Sequence, residues 1–261
     1  MVKMDKRKKI LGIDVDIINK DEALEVFKEL MEKEGFDMIV TPNSEIIENA
    51  TRDEELALLI SEAGLIIPDG IGLVYASKLL GYELEERVTG IDFLTEILAY
   101  LEETGKSVYL FGSKPADEER KSVAELAASR MKEKFPQLRV AGTHHGYFKP
   151  EDESEIVAEI NRSGADFLCV ALGSPKQEKF MKAHAQEFTS VRAGIGVGGS
   201  LDVWAGTVKR APEFYQKHGL EWLYRFAKQP SRWKRMLRLP VFMLKVIAGS
   251  KDRSESENSR E

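Results

Sequence analysis

From about residue 7 to residue 205 the chain alternates between short uninterrupted apolar runs and longer amphipathic stretches, and this alternation constrains the fold more than any other feature. KSVYLFG, DFLCVALG and VRAGIGVGG lack the every-second-residue polarity of a half-exposed strand, as expected of strands covered by helices on both faces. Between such runs lie DEALEVFKELMEKEG, DFLTEILAYLEETG and SEIVAEINRSG, whose apolar residues recur at helical spacing. The pattern predicts an α/β fold of three layers, Rossmann-like, with a largely parallel sheet. KKILGIDVDI reads as the first strand, with Asp21 as cap of the helix after it; FDMIVT, LIIP and LRVAGT read as further strands. SEIIENATRDEELALLISEAG reads as helical with a break near Thr51, and a long helix is expected from Ala116 to about Lys134.

In sheets of this kind ligands bind beyond the carboxyl ends of the strands. The segments there are TPNSE, PDGIG, FGSKP, GYF, LGSPKQE and GVGGSLD. Their glycines, including Gly112, Gly198 and Gly199, let backbone N–H groups approach a ligand, and short polar residues such as Ser113 stand beside them. Asp69 follows an apolar run and precedes Gly70. A carboxylate at such an edge is partly desolvated and suits a general base, or else it caps the helix starting near Ile71. Thr41 and Asn43 flank Pro42; an Asn amide offers the donor and acceptor that sugar recognition needs, or an N-cap. Arg87 stands where a cation meets phosphate or forms an exposed ion pair. Gln177 stands near a helix start, to meet a ligand or simply solvent.

Several chemistries find no support. His144 and His145 are adjacent and, if both lie in a strand, face opposite sides; no carboxylate or Cys cluster with ligand spacing accompanies them, so no metal is expected. Asp14 and Asp16 fall inside the first predicted strand. GVGGSLD does not meet the dinucleotide fingerprint, and no GxxxxGK[ST] loop is present. No cofactor is expected. The single cysteine, Cys169, sits inside FLCVAL and reads as a buried structural thiol.

The formal net charge of −6 conceals an asymmetry. Between Val208 and Ile247 ten Lys or Arg face only Glu213 and Glu221, giving +8 there and −14 elsewhere. Strand signals also stop near Ala211, and short helices punctuated at Pro212, Gly219, Pro230 and Pro240 follow, with aromatic residues interleaved among the cations. The expected organisation is an α/β domain over 1–207, a basic amphipathic helical appendage over 208–248 and a disordered polar end over 249–261. Three readings compete for the appendage: an interfacial segment on an anionic membrane, a nucleic-acid arm, or a helical cap packed on the body. Its apolar content favours the membrane over nucleic acid. No apolar stretch reaches the length of a membrane span and the N-terminus lacks a signal-peptide pattern, so a cytoplasmic protein, peripheral on the inner face of the cell membrane, is expected. Self-association covering an exposed apolar face is a further expectation, its stoichiometry open.

TPNSE, PDGIG, ERVTGIDF, LFGSKP, GYF, ALGSPKQE, GVGGSLDVWAGTVKRAP and LEWLYRFAKQPSRWKRM together resemble the WecG/TagA/CpsF glycosyltransferases, family 26, over roughly Ile10 to Ile247. LEWLYR and RWKRM most resemble the TagA branch, the N-acetylmannosaminyltransferases of wall teichoic acid synthesis. The resemblance implies metal-independent, inverting transfer of N-acetyl-D-mannosamine from UDP-ManNAc to undecaprenyl-diphospho-GlcNAc, with a β(1→4) linkage. It makes Asp69 the base, with Thr41 beside it, and brings Asn43, Arg87 and Gln177 into the site. Asp202 is associated with the nucleotide, and Arg225, Arg232 and Arg235 complete the site when the appendage folds over the cleft. Alternatives are a transferase of the same family using UDP-ManNAcA, or a nucleotide-sugar or nucleic-acid binding module without catalysis.

Overall fold

A computed structural model describes residues 6–82, 84, 87–117, 121–228 and 238–258, with 225, 226, 228 and 250–258 described by backbone alone. Its centre is a six-stranded, wholly parallel sheet of β3 (Asp37–Val40), β4 (Leu65–Ile66), β5 (Ser107–Gly112), β6 (Arg139–His144), β7 (Phe167–Ala171) and β8 (Ala193–Gly196), in the order β4-β3-β8-β7-β5-β6. Every residue of β5, β7 and β8 is buried, which is why these strands read as continuous apolar runs. Side chains still alternate between the two faces. Val108 and Leu110 join one core while Tyr109 and Phe111 join the other.

On the first face pack α1 (Lys20–Glu32), α5 (Gly90–Thr104), α6 (Val123–Lys134) and α9 (Ser200–Trp204), through residues such as Phe27, Phe93, Met131 and Leu201. Phe27 meets Phe93, Tyr100 and Phe167 edge-on at centroid distances of 6.4, 5.5 and 5.5 Å, each contact adding about 0.5–1.5 kcal/mol beyond burial. The second face carries α2 (Ser44–Ala50), α3 (Glu54–Ser61), α4 (Ile71–Leu79), α7 (Glu153–Ser163) and α8 (Lys176–Ala183). Cys169 is fully buried and its thiol is pushed up to about 12 by desolvation, so it is an inert core residue.

Three local expectations are corrected. KKILGIDVDI is not one strand but an antiparallel hairpin, β1 (Arg7–Ile10) and β2 (Ile13–Asp16), outside the main sheet. Leu11 (φ 52°) and Gly12 (φ 84°) make its two-residue turn with both central residues at positive φ. Asp16 holds the hairpin in place by accepting from Arg7 Nε (2.8 Å) and Ile66 N (2.8 Å). The cap of α1 is Asn19, in a reciprocal capping box with Glu22, and Asp21 lies in the first turn. The helix expected from Ala116 begins at Val123, where Ser122 and Glu125 form a second capping box.

After Ala211 the described elements are all helical: α10 (Glu213–Lys217), α11 (Glu221–Lys228) and α12 (Arg238–Asn258). Pro240 does not interrupt the last of these. It sits in the first turn, where its missing N–H costs no helical bond. The backbone of α12 runs on through the polar stretch that composition assigned to a disordered end. Phe242 and Val246, 0% and 1% exposed, seat α12 in the second core against α2 and α4, and Lys245 Nζ donates to Glu48 Oε1 at 3.1 Å.

The connection from β5 leads to β6 on one side, and the connection from β7 leads to β8 on the other. Strand order of this kind reverses direction between β5 and β7, the position beyond whose carboxyl ends ligands bind in open α/β sheets.

Candidate active site

The loops at the strand ends are joined into one continuous rim by hydrogen bonds. Asp69 N donates to Pro42 O (2.9 Å), linking the ends of β4 and β3, and Thr41 Oγ1 donates to Gly196 O (3.1 Å), linking β3 to β8. Val197 N then reaches Val170 O (2.8 Å), Ser113 N reaches Ala171 O (2.9 Å) and Gly146 N reaches Ser113 O (2.8 Å). The motifs around Asp69, Thr41, Ser113, Gln177 and Gly198 are thus neighbours in space, although they span more than half the chain.

Gly112 is required by geometry. Its φ is 131°, and a Cβ there would lie 2.5 Å from the carbonyl carbon and oxygen of Ala171. Gly112→Ala should cost roughly 2–5 kcal/mol, combining a disfavoured backbone conformation with an overpacked contact. The midpoint of chemical denaturation measures this. Ser113, at φ 57°, turns its hydroxyl to donate to Asp202 Oδ2 at 3.2 Å, so the FGSKP and GVGGSLD loops meet directly.

Asp69 is half-buried at the turn into α4, and the cap position of that helix belongs to Gly70, with φ 96°. The carboxylate is thus one residue removed from the cap. Asn43 does cap its helix: Oδ1 accepts from Glu45 N and Ile46 N, both at 3.0 Å. That leaves its amide nitrogen as the group to offer a ligand. Gly90, at the start of α5, is packed so closely on Thr41 that a Cβ would lie 3.2 Å from Thr41 Oγ1.

Gln177 is not solvent-exposed. It is 4% exposed, its Oε1 accepts from Gly198 N (3.2 Å) and its Nε2 donates to Glu178 Oε1 (2.9 Å). Gly196 makes the space, since a Cβ there would stand 2.3 Å from Gln177 Nε2. Gln177 therefore holds the glycine loop after β8. Its neighbour Glu178, not singled out from the sequence, is 2% exposed, and its Oε2 has no hydrogen-bond partner. Burial raises its carboxyl, against hydrogen bonds that lower it, Gln177 foremost. A raised acid is stabilising below its unfolded pKa and loses that contribution as pH rises through the folded one. Glu178→Gln should accordingly raise thermal stability at pH 8, by about 1 kcal/mol on the scale of one unmet buried acceptor, and the gain should shrink toward pH 4. Melting curves across that range test it.

Arg87 is turned toward the appendage. Nη1 donates to Gln216 O (3.1 Å) and Nη2 to Glu221 Oε2 (2.5 Å). Arg225 lies in α11, but its side chain, and Arg232 and Arg235 entirely, lie outside the described residues. His144 and His145 do not face opposite ways: His145 is past the end of β6, and the rings approach to 4.7 Å while His144 Nδ1 bonds His145 O at 2.7 Å.

The family model "Glycosyl transferase WecG/TagA/CpsF family" matches residues 8–256. An N-acetylglucosaminyldiphosphoundecaprenol N-acetyl-beta-D-mannosaminyltransferase of Bacillus spizizenii is 39% identical over 209 residues, 80% of this chain and 78% of the relative. The protein of the same name from Bacillus subtilis is 36% identical, over 83% of this chain and 81% of its own. The Staphylococcus aureus protein of that name is 35% identical over 239 residues, 91% of each chain. Both the match along nearly the full length and these relatives lead to one conclusion: the chain belongs to the WecG/TagA/CpsF glycosyltransferase family.

Proposed function

We propose that the protein transfers N-acetyl-D-mannosamine from UDP-ManNAc to the 4-hydroxyl of GlcNAc in undecaprenyl-diphospho-GlcNAc, a step of wall teichoic acid linkage-unit synthesis. The observation that carries this reading is the joining of six strand-end loops into one rim with Asp69 at the turn after β4, in a chain whose curated relatives bear that enzyme name. Asp69 takes the proton of the acceptor hydroxyl as its oxygen attacks the anomeric carbon. The bond from that carbon to UDP breaks on the opposite face, and the configuration inverts. Thr41 ties the ends of β3 and β8 together beside the base. Asn43 meets the sugar through its amide nitrogen, while Gly112, Ser113, Gly198, Gly199 and Asp202 line the nucleotide side and Gln177 holds that side in shape.

The leaving diphosphate develops negative charge, which Arg225, Arg232 and Arg235 of the appendage offset. The appendage also bears the membrane contact. Phe214, Trp222, Leu223, Val241, Leu244 and Ile247 are all exposed on it, near the ten cations of residues 208–247; these groups suit an anionic bilayer in which the acceptor lipid resides. No described helix is long and apolar enough to cross a membrane; the proposed mode is peripheral, on the cytoplasmic face. Where the same apolar face is off the bilayer, self-association would cover it. Release of UDP from UDP-ManNAc, UDP-ManNAcA and UDP-GlcNAc in the presence of a lipid-diphosphate GlcNAc acceptor tests the reading. UDP-ManNAc should be consumed fastest, and a preference for either other donor would overturn it.

A further inference from the structure

Four charged side chains join the start of the appendage to the body. Arg210 donates in bidentate fashion to Asp92, at 2.6 and 2.7 Å, and Asp92 is further held by Thr89 Oγ1, itself the N-cap of α5. Arg210 Nε stands 3.5 Å from Glu221 Oε1, and the other oxygen of Glu221 receives Arg87 Nη2. Glu221 is 9% exposed, an unusual position for the first residue of a surface helix. Burial pushes the Asp92 carboxyl up, but the Arg210 and Thr89 hydrogen bonds and the nearby Arg87 charge outweigh it and hold the group below its ordinary range. Two further contacts fix the same segment. Gln216 Nε2 donates to Ala211 O (2.6 Å), and Gly219, at φ 68°, lies so close to Ile71 that a Cβ would be 2.7 Å from it. Ile71 is two residues beyond Asp69. Residues 216–221 are therefore wedged between the turn that carries Asp69 and the loop that carries Arg87.

We infer that Glu221 and Arg210 are positioning residues: the run Asp92, Arg210, Glu221, Arg87 is a clamp that sets where the appendage leaves the body, and Arg87 acts on the appendage rather than on a substrate phosphate. The inference rests on the reading that the appendage completes the active site. Its chemical basis is that both terminal nitrogens of Arg87 donate to residues 216 and 221 while its Nε is buried, and charge-assisted and bidentate hydrogen bonds impose one geometry more strictly than apolar contact does. A shift of about 1 Å in the appendage would cost on the order of 100-fold in turnover without removing any group that binds the donor.

The test is a double-mutant cycle on the full-length protein, with Arg87→Ala, Glu221→Ala and the pair, reading kcat, donor KM and UDP affinity by calorimetry. Each single variant should lose about 10- to 100-fold in kcat, keep UDP affinity within about twofold, and combine so that the pair is no worse than the weaker single. Glu221→Gln, which retains one acceptor oxygen for Arg87 and loses the one beside Arg210, should recover part of kcat and serves where the Ala variant does not fold. Multiplicative losses in the pair, or UDP binding weakened about tenfold or more by Arg87→Ala and not by Glu221→Ala, would overturn the clamp. The Arg232→Ala, Arg235→Ala double variant separates the two levels. Full activity there removes the underlying reading and the clamp with it, whereas loss of activity there with unaffected clamp variants removes the clamp alone.

Discussion

The Asp69→Asn enzyme should turn over about 10²- to 10⁴-fold more slowly than the parent, the range a positioned general base contributes, with donor KM and melting temperature little changed. The substitution keeps the size of the side chain, removes its charge and its ability to take a proton, and exchanges one carboxylate oxygen for an amide donor. The fold should survive because main-chain groups hold the surrounding turn: Asp69 N is bonded to Pro42 O, Ile67 N to Val40 O, and the helix cap is Gly70. Steady-state rates with a soluble acceptor analogue measure it. Near-normal turnover would reassign Asp69 to the architecture of the turn.

Replacing Arg225, Arg232 and Arg235 together by Ala should reduce kcat by about 10²- to 10³-fold, the scale of losing preorganised stabilisation of a developing oxyanion. The described anchor of the appendage does not depend on them: Phe242 and Val246 seat α12, and Lys245 pairs with Glu48. The fold should survive, as circular dichroism would report. The same cations are proposed to meet lipid as well, so the assay needs two acceptors. Loss with a soluble analogue identifies a role in catalysis. Loss only with bilayer-borne acceptor, relieved by lowering salt, identifies an electrostatic role at the membrane.

Much of this architecture was legible because α/β proteins write it in a simple code. The buried strands β5, β7 and β8 appear as unbroken apolar runs, and the parallel arrangement places the loops after the strands at one end of the sheet. The errors have physical causes. KKILGIDVDI looked like one strand because Leu11 adopts positive φ, a conformation its side chain gives no reason to expect; Gly12 alone signalled the turn. The start of α6 was set too early because helix-forming residues precede it, while the S-x-x-E box at Ser122 and Glu125 carried the true boundary. For Gln177 the choice between ligand and solvent could not include its burial against Gly198, because neither that burial nor the room made by Gly196 shows in a polar segment. The Arg87 to Glu221 pair joins residues 134 apart in sequence, and no local pattern announces such a contact.

The most direct measurement of the central claim is the structure of the product formed by the wild-type protein from UDP-ManNAc and a lipid-diphosphate GlcNAc acceptor. Mass analysis and proton NMR should show a single added N-acetylmannosamine, joined β to the 4-oxygen of GlcNAc, with one UDP released per sugar transferred. An α-linked product, attachment at another hydroxyl, or hydrolysis of the donor without transfer would contradict the account.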